Sequence, residues 1–338
     1  MKIAINGFGR IGRTVFKSLV DKNINADLVA VNDLTDLKTL AHLLKYDSVY
    51  GKYDKKVTYT KDSLVVGGKK YKVLAEKDPA QLPWQKMGVD LVLECTGLFR
   101  TREDAGKHLE AGAKKVVISA PAKSEDIKTI VLGVNENKIG KNDDIISMAS
   151  CTTNCLAPVT DVVKRSFGIK KAIMTTVHSY TSTQNIIDGP HPKDLRRART
   201  AAVNTIPTST GAAKATTKTI PALEDKFDGM AIRVPTAVGS LCDIVFVTNK
   251  NTTENKVNQT LKKASKNKSL KGILTTTEDP IVLSDIVGDP ASSIVDLSLT
   301  KVIDGDLVKV IAWYDNEWGY SNRMADTVDY ISRKKLIK

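Results

Sequence analysis

Short apolar runs alternate with segments of helical period through the first half of the chain. KIAIN reads as a strand, a glycine turn follows, and Ile11, Val15 and Leu19 recur on one face of a helix. ADLVAVNDL gives a second strand ending at Asp33, and DLKTLAHLLKYD places Leu37, Leu40, Ala41 and Leu44 on one helical face. SLVVGGKKYKVL predicts a hairpin turning at Gly67-Gly68. The alternation continues with the strands VDLVLE, KKVVIS, KTIVLGV and IISMA and the helical EDAGKHLEAGA. Strands separated by helical crossovers predict a doubly wound parallel sheet.

After residue 150 the pattern changes to strands joined by turns: KKAIMTTVHSYT, MAIRVPT, SLCDIVFVT, SSIVDLSL and LVKVIAWYD, with an Asp-Gly turn in VIDGDLVKV. Helical periods return at 151–166, 210–220, 253–266 and about 317–333. The expectation is an α/β chain with two domains. Residues 1–149 form the doubly wound domain, to which the C-terminal helix (about 317–338) returns. Residues 150–316 form an α+β domain on a largely antiparallel sheet. Residues 181–205 are rich in Asp, Gly, Pro and Arg and lack any period, which predicts a long functional loop.

Composition sharpens this picture. Aromatic residues make up 5% of the 338 positions and hydrophobic residues 41%, so the core is built from Val, Ile, Leu and Ala, as in buried parallel sheets. No apolar run is long enough to cross a bilayer, and the N-terminus carries no charged and apolar leader, which predicts a cytoplasmic protein. The four cysteines, Cys95, Cys151, Cys155 and Cys242, fit neither a disulfide scaffold nor a zinc site, so no metal is expected. The net charge of +13 is spread along the chain. It suits phosphorylated small molecules, and leaves nucleic-acid or surface-ligand binding as a secondary alternative.

Gly7, Gly9 and Gly12 form G-x-G-x-x-G between a strand and a helix, the pattern of the Rossmann dinucleotide fold, in which a pyrophosphate meets the helix N-terminus. Asp33, ending the next strand, is placed to hold the adenosine ribose hydroxyls and to repel a 2′-phosphate, which favours NAD over NADP. In ASCTTNCLAP, Cys151 follows Ser150 at a predicted helix start, where free N–H groups and the helix dipole favour a thiolate. Cys155 is read as packing. His178 closes an apolar strand. Each of these has a plainer reading alone: a small buried thiol beside a Ser N-cap, and a packed histidine. Together they allow a thiolate–imidazolium pair. Thr181, Arg196, Arg197, Arg199, Arg233 and the Ser209-Thr210-Gly211 turn supply hydroxyls, guanidinium forks and helix-start N–H groups suited to oxyanions.

In order along nearly the whole chain, INGFGRIGR, VNDLTD, ECTG, ISAPA, ASCTTNCLAP, TTVHSYT, LRRAR, STGAAKA, RVPT and WYDNEWGYSNR resemble the phosphorylating glyceraldehyde-3-phosphate dehydrogenases. The resemblance implies Cys151 as nucleophile and His178 as its base. It implies a seat for the substrate phosphate at Thr181, Arg233 and Arg197, the first choice among Arg196, Arg197 and Arg199. A second seat, for inorganic phosphate, is implied at Ser150, Thr152, Thr210 and Gly211. Arg10, Ile11, Thr96 and Ser119 match contacts to NAD, and Asn316 matches the residue facing its carboxamide. Pro190 agrees with the NAD-using members. Lys77 and Asp78 replace an arginine that many relatives place near the adenine, so that contact is unassigned. The implied reaction takes glyceraldehyde 3-phosphate, NAD and inorganic phosphate to 1,3-bisphosphoglycerate in glycolysis, in a homotetramer with 181–205 at subunit contacts. Erythrose 4-phosphate dehydrogenase is the alternative substrate reading; the hydroxyls that would seat phosphate argue against it.

Overall fold

The computed structural model describes residues 1–22 and 24–338, which divide into two compact units: Met1–Ile130, Glu136–Ala149 and Ser321–Lys338 in one, Val131–Asn135 and Ser150–Tyr320 in the other. Among the described residues no helix is long and apolar enough to cross a membrane.

The first unit is built on a nine-stranded sheet. Its parallel part runs Lys128–Thr129, Ile145–Ser147, Lys115–Ile118, Leu91–Glu94, Lys2–Asn6, Asp27–Asn32 and Lys69–Leu74. Ser63–Val66 and Val57–Tyr59 add an antiparallel edge. The first strand is central and the chain winds outward from it both ways, so the sheet switches direction beside the carboxyl ends of Lys2–Asn6 and Leu91–Glu94. A crevice opens there in such sheets. The hairpin turn at Gly67-Gly68 holds φ of 57° and 85°, the left-handed geometry that a two-residue hairpin requires. Helix Arg10–Asp21 buries Val15, Phe16 and Leu19. The C-terminal helix meets it through Ser321 and Thr14 hydroxyls at 2.6 Å and Lys22 to Asp326 at 2.6 Å.

The expected strand KTIVLGV is cut short. Only Lys128–Thr129 is extended; Val131–Asn135 forms a turn in the second unit, closed by the Val131 N–H donating to Asn135 Oδ1 at 2.8 Å. An apolar run cannot distinguish a strand from a buried turn, because both bury the same side chains.

The second unit has a seven-stranded sheet ordered Ile206–Ser209, Phe227–Val234, Lys171–Ser179, Ser240–Val247, Leu307–Tyr314, Ser293–Ile303 and Leu274–Thr277. It is antiparallel apart from two parallel pairings, Lys171–Ser179 with Phe227–Val234 and Leu274–Thr277 with Ser293–Ile303. Strand Ser240–Val247 alternates strictly between buried and half-buried residues. Its inward Cys242, Ile244 and Phe246 share one core with Cys155, Leu156, Val159 and Val163 of helix Cys151–Phe167 and Val257 and Leu261 of helix Glu254–Ser265.

The glycine fingerprint divides its work by geometry. Gly7 sits at φ 89°, and a Cβ there would lie 2.6 Å from the Thr96 nitrogen. A Cβ on Gly12 would lie 2.0 Å from the Gly7 carbonyl oxygen, whereas one on Gly9 meets nothing within 4 Å. Gly12→Ala is therefore expected to lower unfolding stability by about 1–3 kcal/mol through overpacking. Gly9→Ala, at the helix N-cap, should cost about 1 kcal/mol or less and should instead weaken cofactor binding. Urea unfolding and NAD titration of the two variants check this; equal stability losses would refute the division.

Candidate active site

Asp33 directly follows strand Asp27–Asn32, and its carboxylate accepts from the Phe8 N–H at 2.7 Å and the Thr35 N–H at 2.9 Å. One acid thus ties the glycine turn to the second strand and stands at the rim of a cavity of about 690 Å³ lined by Gly7, Gly9, Asp33, Thr96, Asn6, Asn32 and Lys77. Beneath it, Glu94 is fully buried and accepts from Asn6 Nδ2 at 2.6 Å, from the Thr96 N–H at 2.8 Å and from the Thr96 hydroxyl. His108 Nδ1 accepts from the Trp84 indole at 3.0 Å, which leaves Nε2 as the N–H facing Glu94 at 3.1 Å.

Of the expected cofactor residues, Gly7, Gly9, Asp33 and Thr96 line this cavity; Gly12 supports it. Arg10 turns its guanidinium to Asp47 at 2.6 Å, leaving its position at the helix start as its link to the crevice. Ile11 and Ser119 do not line the cavity. Glu76, Lys77, Asp78 and Pro79 do, on the segment whose adenine contact the sequence leaves unassigned. The open space over Gly9, the helix-start N–H groups and the Asp33 acceptor fit a dinucleotide.

Register builds the second site. Along Lys171–Ser179 the side chains of Met174, Thr176 and His178 are buried, and His178 pairs with Arg233 on one neighbouring strand and Ser240 on the other; Ser240 in turn pairs with Tyr314. Paired residues share a face, so Arg233, His178, Ser240 and Tyr314 form one row across four strands. Helix Cys151–Phe167 begins over that row. Ser150 caps it, its Oγ accepting from the Thr153 N–H at 3.1 Å. Ala149, just before the cap, holds φ at 55°, a conformation costing roughly 1–3 kcal/mol outside glycine.

Cys151 Sγ lies 3.5 Å from His178 Nε2. His178 Nδ1 lies 2.8 Å from the Ser179 carbonyl oxygen and 2.7 Å from Arg233 Nη1, which also donates to that oxygen at 2.8 Å. Burial opposes a lone charge on either partner, pushing the Cys151 thiol up to about 11, with Arg233 and the Thr152 N–H pulling the other way. Burial, then Arg233, pushes His178 down to about 3. Burial thus works against the thiolate that the helix start and His178 together are expected to favour. Moving one proton from Sγ to Nε2 charges both partners at once, each facing its opposite, and it is this paired transfer that the contact allows.

The hydroxyl of Thr152 turns inward to Tyr314 at 2.8 Å, and Tyr314 also meets Thr176 at 2.9 Å. Neither Tyr314 nor Thr176 was picked out from the sequence, where they read as strand positions; only the register puts them under the helix start. Cys155 is fully buried and contacts the Ala312 carbonyl, in keeping with a packing role. Arg197 is the member of its cluster whose guanidinium reaches the Ser209–Gly211 segment, donating to Thr208 Oγ1 at 2.9 Å and the Ser209 carbonyl at 3.2 Å, while Arg199 pairs with Asp188. Thr210 Oγ1 accepts from the Ala212 N–H at 3.2 Å, beside Gly211 at the start of helix Ala212–Thr219. Thr181 sits in a turn, its N–H donating to Gln184 Oε1 at 3.2 Å. Asn316 Oδ1 accepts from the Gly239 N–H at 2.7 Å and the Ser179 hydroxyl at 3.2 Å, which fixes the orientation of its amide.

Residues 1–102 match the family "Glyceraldehyde 3-phosphate dehydrogenase, NAD binding domain", and residues 150–316 match "Glyceraldehyde 3-phosphate dehydrogenase, C-terminal domain". Glyceraldehyde-3-phosphate dehydrogenase of Streptomyces coelicolor is 54% identical over 335 residues, 99% of each chain. Glyceraldehyde-3-phosphate dehydrogenase 1 of Bacillus subtilis is 56% identical over 337 residues, again 99% of each chain, and the Thermotoga maritima enzyme is 56% identical over 98% of each. With a dinucleotide crevice, a cysteine–histidine contact and identity of this extent along the whole chain, the protein belongs to the NAD-dependent glyceraldehyde-3-phosphate dehydrogenases.

Proposed function

We propose that the chain converts glyceraldehyde 3-phosphate, NAD and inorganic phosphate to 1,3-bisphosphoglycerate through covalent intermediates on Cys151, as a step of glycolysis. The 3.5 Å contact between Cys151 Sγ and His178 Nε2 at a helix start carries this reading. Cys151 passes its proton to His178 as sulfur attacks the aldehyde carbon, and the imidazolium returns that proton to the developing alkoxide, giving a thiohemiacetal. His178 then takes the hydroxyl proton as the carbon gives up a hydride, for which NAD is the acceptor when bound, and a thioester results. An oxygen of inorganic phosphate attacks the thioester, the C–S bond breaks, and the departing sulfur takes back the proton held by His178, which restores the thiol and the neutral imidazole as the acyl phosphate leaves.

Thr181, Arg233 and Arg197 are assigned to the sugar phosphate. Ser150, Thr152, Thr210 and Gly211 are assigned to inorganic phosphate. Since the Ser150 and Thr152 hydroxyls are engaged within the protein, the helix-start N–H groups are their main contribution to that seat. Asn316 is assigned to the nicotinamide carboxamide. We place the reaction in the cytoplasm, a reading supported by four free cysteines. We also infer a homotetramer with residues 181–205 at subunit contacts, supported by Ile186, Ile187, Leu195 and Val203, each at least three-quarters exposed.

The deciding experiment is single- and multiple-turnover NADH formation with inorganic phosphate varied. A burst without phosphate and steady turnover only with it are expected; phosphate-independent turnover would sink the acyl-phosphate product. Cys151→Ser should abolish the burst and leave NAD bound, while Cys155→Ser should keep it.

The pH dependence follows from the opposing causes at the thiol. Replacing His178 by Asn removes the group that balances a thiolate and leaves the burial that raises the thiol. The pH of half-maximal iodoacetamide reaction at Cys151 should move up by about one unit or more. An unmoved profile would mean that His178 does not support the sulfur's charge.

At the cofactor, Asp33→Gly removes both a ribose acceptor and the charge facing a 2′-phosphate, so binding of NAD should weaken and selectivity against NADP should fall, by about tenfold or more. Titration with the two nucleotides measures it, and an unchanged preference would show that Asp33 does not face the ribose.

A further inference from the structure

Glu94 is fully buried and does not line the dinucleotide crevice, yet two segments that do line it are tied to this one carboxylate. The first tie is direct. Glu94 Oε1 accepts from the Thr96 N–H at 2.8 Å and from the Thr96 hydroxyl, whose oxygen accepts in turn from the Leu98 N–H at 3.0 Å. The second is a relay of two buried amides. Glu94 Oε2 accepts from Asn6 Nδ2 at 2.6 Å, and Asn6 Oδ1 accepts from Asn32 Nδ2 at 2.8 Å. Asn32 then clamps the backbone of Glu76: its Nδ2 donates to the Glu76 carbonyl at 2.8 Å and its Oδ1 accepts from the Glu76 N–H at 2.9 Å.

The relay has a direction, because an amide presents a donor on one side and an acceptor on the other. Asn6 Nδ2, His108 Nε2–H and the N–H and hydroxyl of Thr96 all donate to Glu94. Asn6 must therefore turn its NH2 to Glu94 and its oxygen to Asn32. Asn32 must turn its NH2 to Asn6, which leaves its oxygen for the Glu76 N–H. The Glu76 peptide, needing one acceptor and one donor, demands the same orientation from the other end. Asn6 and Asn32 are 2% and 4% exposed, so water is not at hand to relieve a mismatch. A buried chain of this kind either matches throughout or carries a mismatched pair somewhere along it.

We propose that Glu94 is a positioning residue for the cofactor, which through Asn6 and Asn32 holds Glu76–Pro79, and through Thr96 the segment reaching Leu98, in place for the adenosine end of NAD. The inference rests on the reading of Asp33 as the ribose acceptor, which puts the adenosine in the cavity that Glu76–Pro79 lines. Glu94 acts on the nucleotide without touching it. The chain of amides carries the polarity of one buried carboxylate to the backbone of a segment on the crevice wall.

Reversing the polarity of one joint tests the relay in the full chain. Glu94→Gln keeps an oxygen for Thr96 but sets an NH2 against Asn6 and His108, so a mismatch enters. Asn6→Asp alone sets two carboxylates against each other. Together the two changes match again, since the new carboxylate at position 6 accepts from the new amide at position 94, from Asn32 Nδ2 and from His108 Nε2, which stands 3.4 Å from the present Asn6 Nδ2. Calorimetric titration with NAD, and with ADP-ribose, which carries the adenosine without the nicotinamide, should give dissociation constants raised about tenfold or more for both ligands in each single variant. The double variant should return to within about threefold of the unaltered protein, a recovery that a loss of stability alone does not produce. Urea unfolding of each variant establishes that folded protein is being titrated. If Glu94→Gln does not fold, Asn32→Ala removes the relay and leaves the other contacts of Glu94, and the same loss is expected for both ligands. Unchanged affinity in Glu94→Gln, or in Asn32→Ala where it takes that place, overturns the proposal, as does a double variant that binds no better than the single ones. NAD affinity unmoved by Asp33→Gly overturns the underlying reading instead, whereas a loss there with none in Glu94→Gln strikes the relay alone.

Discussion

Strand register in the second unit is the constraint on which the site depends. His178 stands opposite Arg233 and Ser240, and Ser240 opposite Tyr314, so four side chains share one row facing the start of helix Cys151–Phe167. A slip of one residue in strand Lys171–Ser179 would turn His178 to the other face. The slip is opposed by the core, because the same face carries Met174 and the alternating Cys242, Ile244 and Phe246 of the next strand. Burial of apolar side chains therefore sets the position of His178. Its chemistry is inherited from that packing.

The first unit solves a comparable problem with backbone. Lack of a Cβ at Gly12 lets helix Arg10–Asp21 begin against the Gly7 carbonyl, while Gly9 faces open space. Asp33 then does two things: its carboxylate accepts from the Phe8 N–H, holding the turn, and it presents negative charge at the crevice. Glu94 anchors the floor through Asn6, Thr96 and His108. A buried carboxylate surrounded by donors is costly to disturb, which keeps the cavity wall rigid.

Charge is arranged differently at the two groups of arginines. Arg197 is tied to Asp194 and Thr208 and so has a fixed geometry beside Ser209–Gly211. Arg233 has a backbone carbonyl and an imidazole in place of a counter-ion. The overall charge of +13 adds a field that favours anionic substrates without deciding where they bind.

Local pattern was enough for much of the molecule. Periodicity marked the helices at 10–21, 151–167 and 318–333 and most strands, since burial of one face leaves a period of 3.6 or 2 in the residue types. The glycine spacing with Asp33 located the crevice, because each glycine answers a backbone requirement that sequence records directly. Cys151 stood out by its place beside a Ser N-cap. The turn at Val131–Asn135 was not legible, nor were the two parallel pairings in the second sheet, since apolar runs state that residues are buried and not which neighbour buries them. The roles of Tyr314 and Thr176, the inward turn of the Thr152 hydroxyl and the contact between Arg233 and His178 had no signature at all. They join residues as far apart as 162 positions in the chain, and only pairing across strands brings such groups within hydrogen-bond distance. Sequence by itself determined which chemical groups the protein carries and the local geometry each demands; the tertiary structure decided which groups meet, because register and packing, which set those meetings, are properties of the whole sheet.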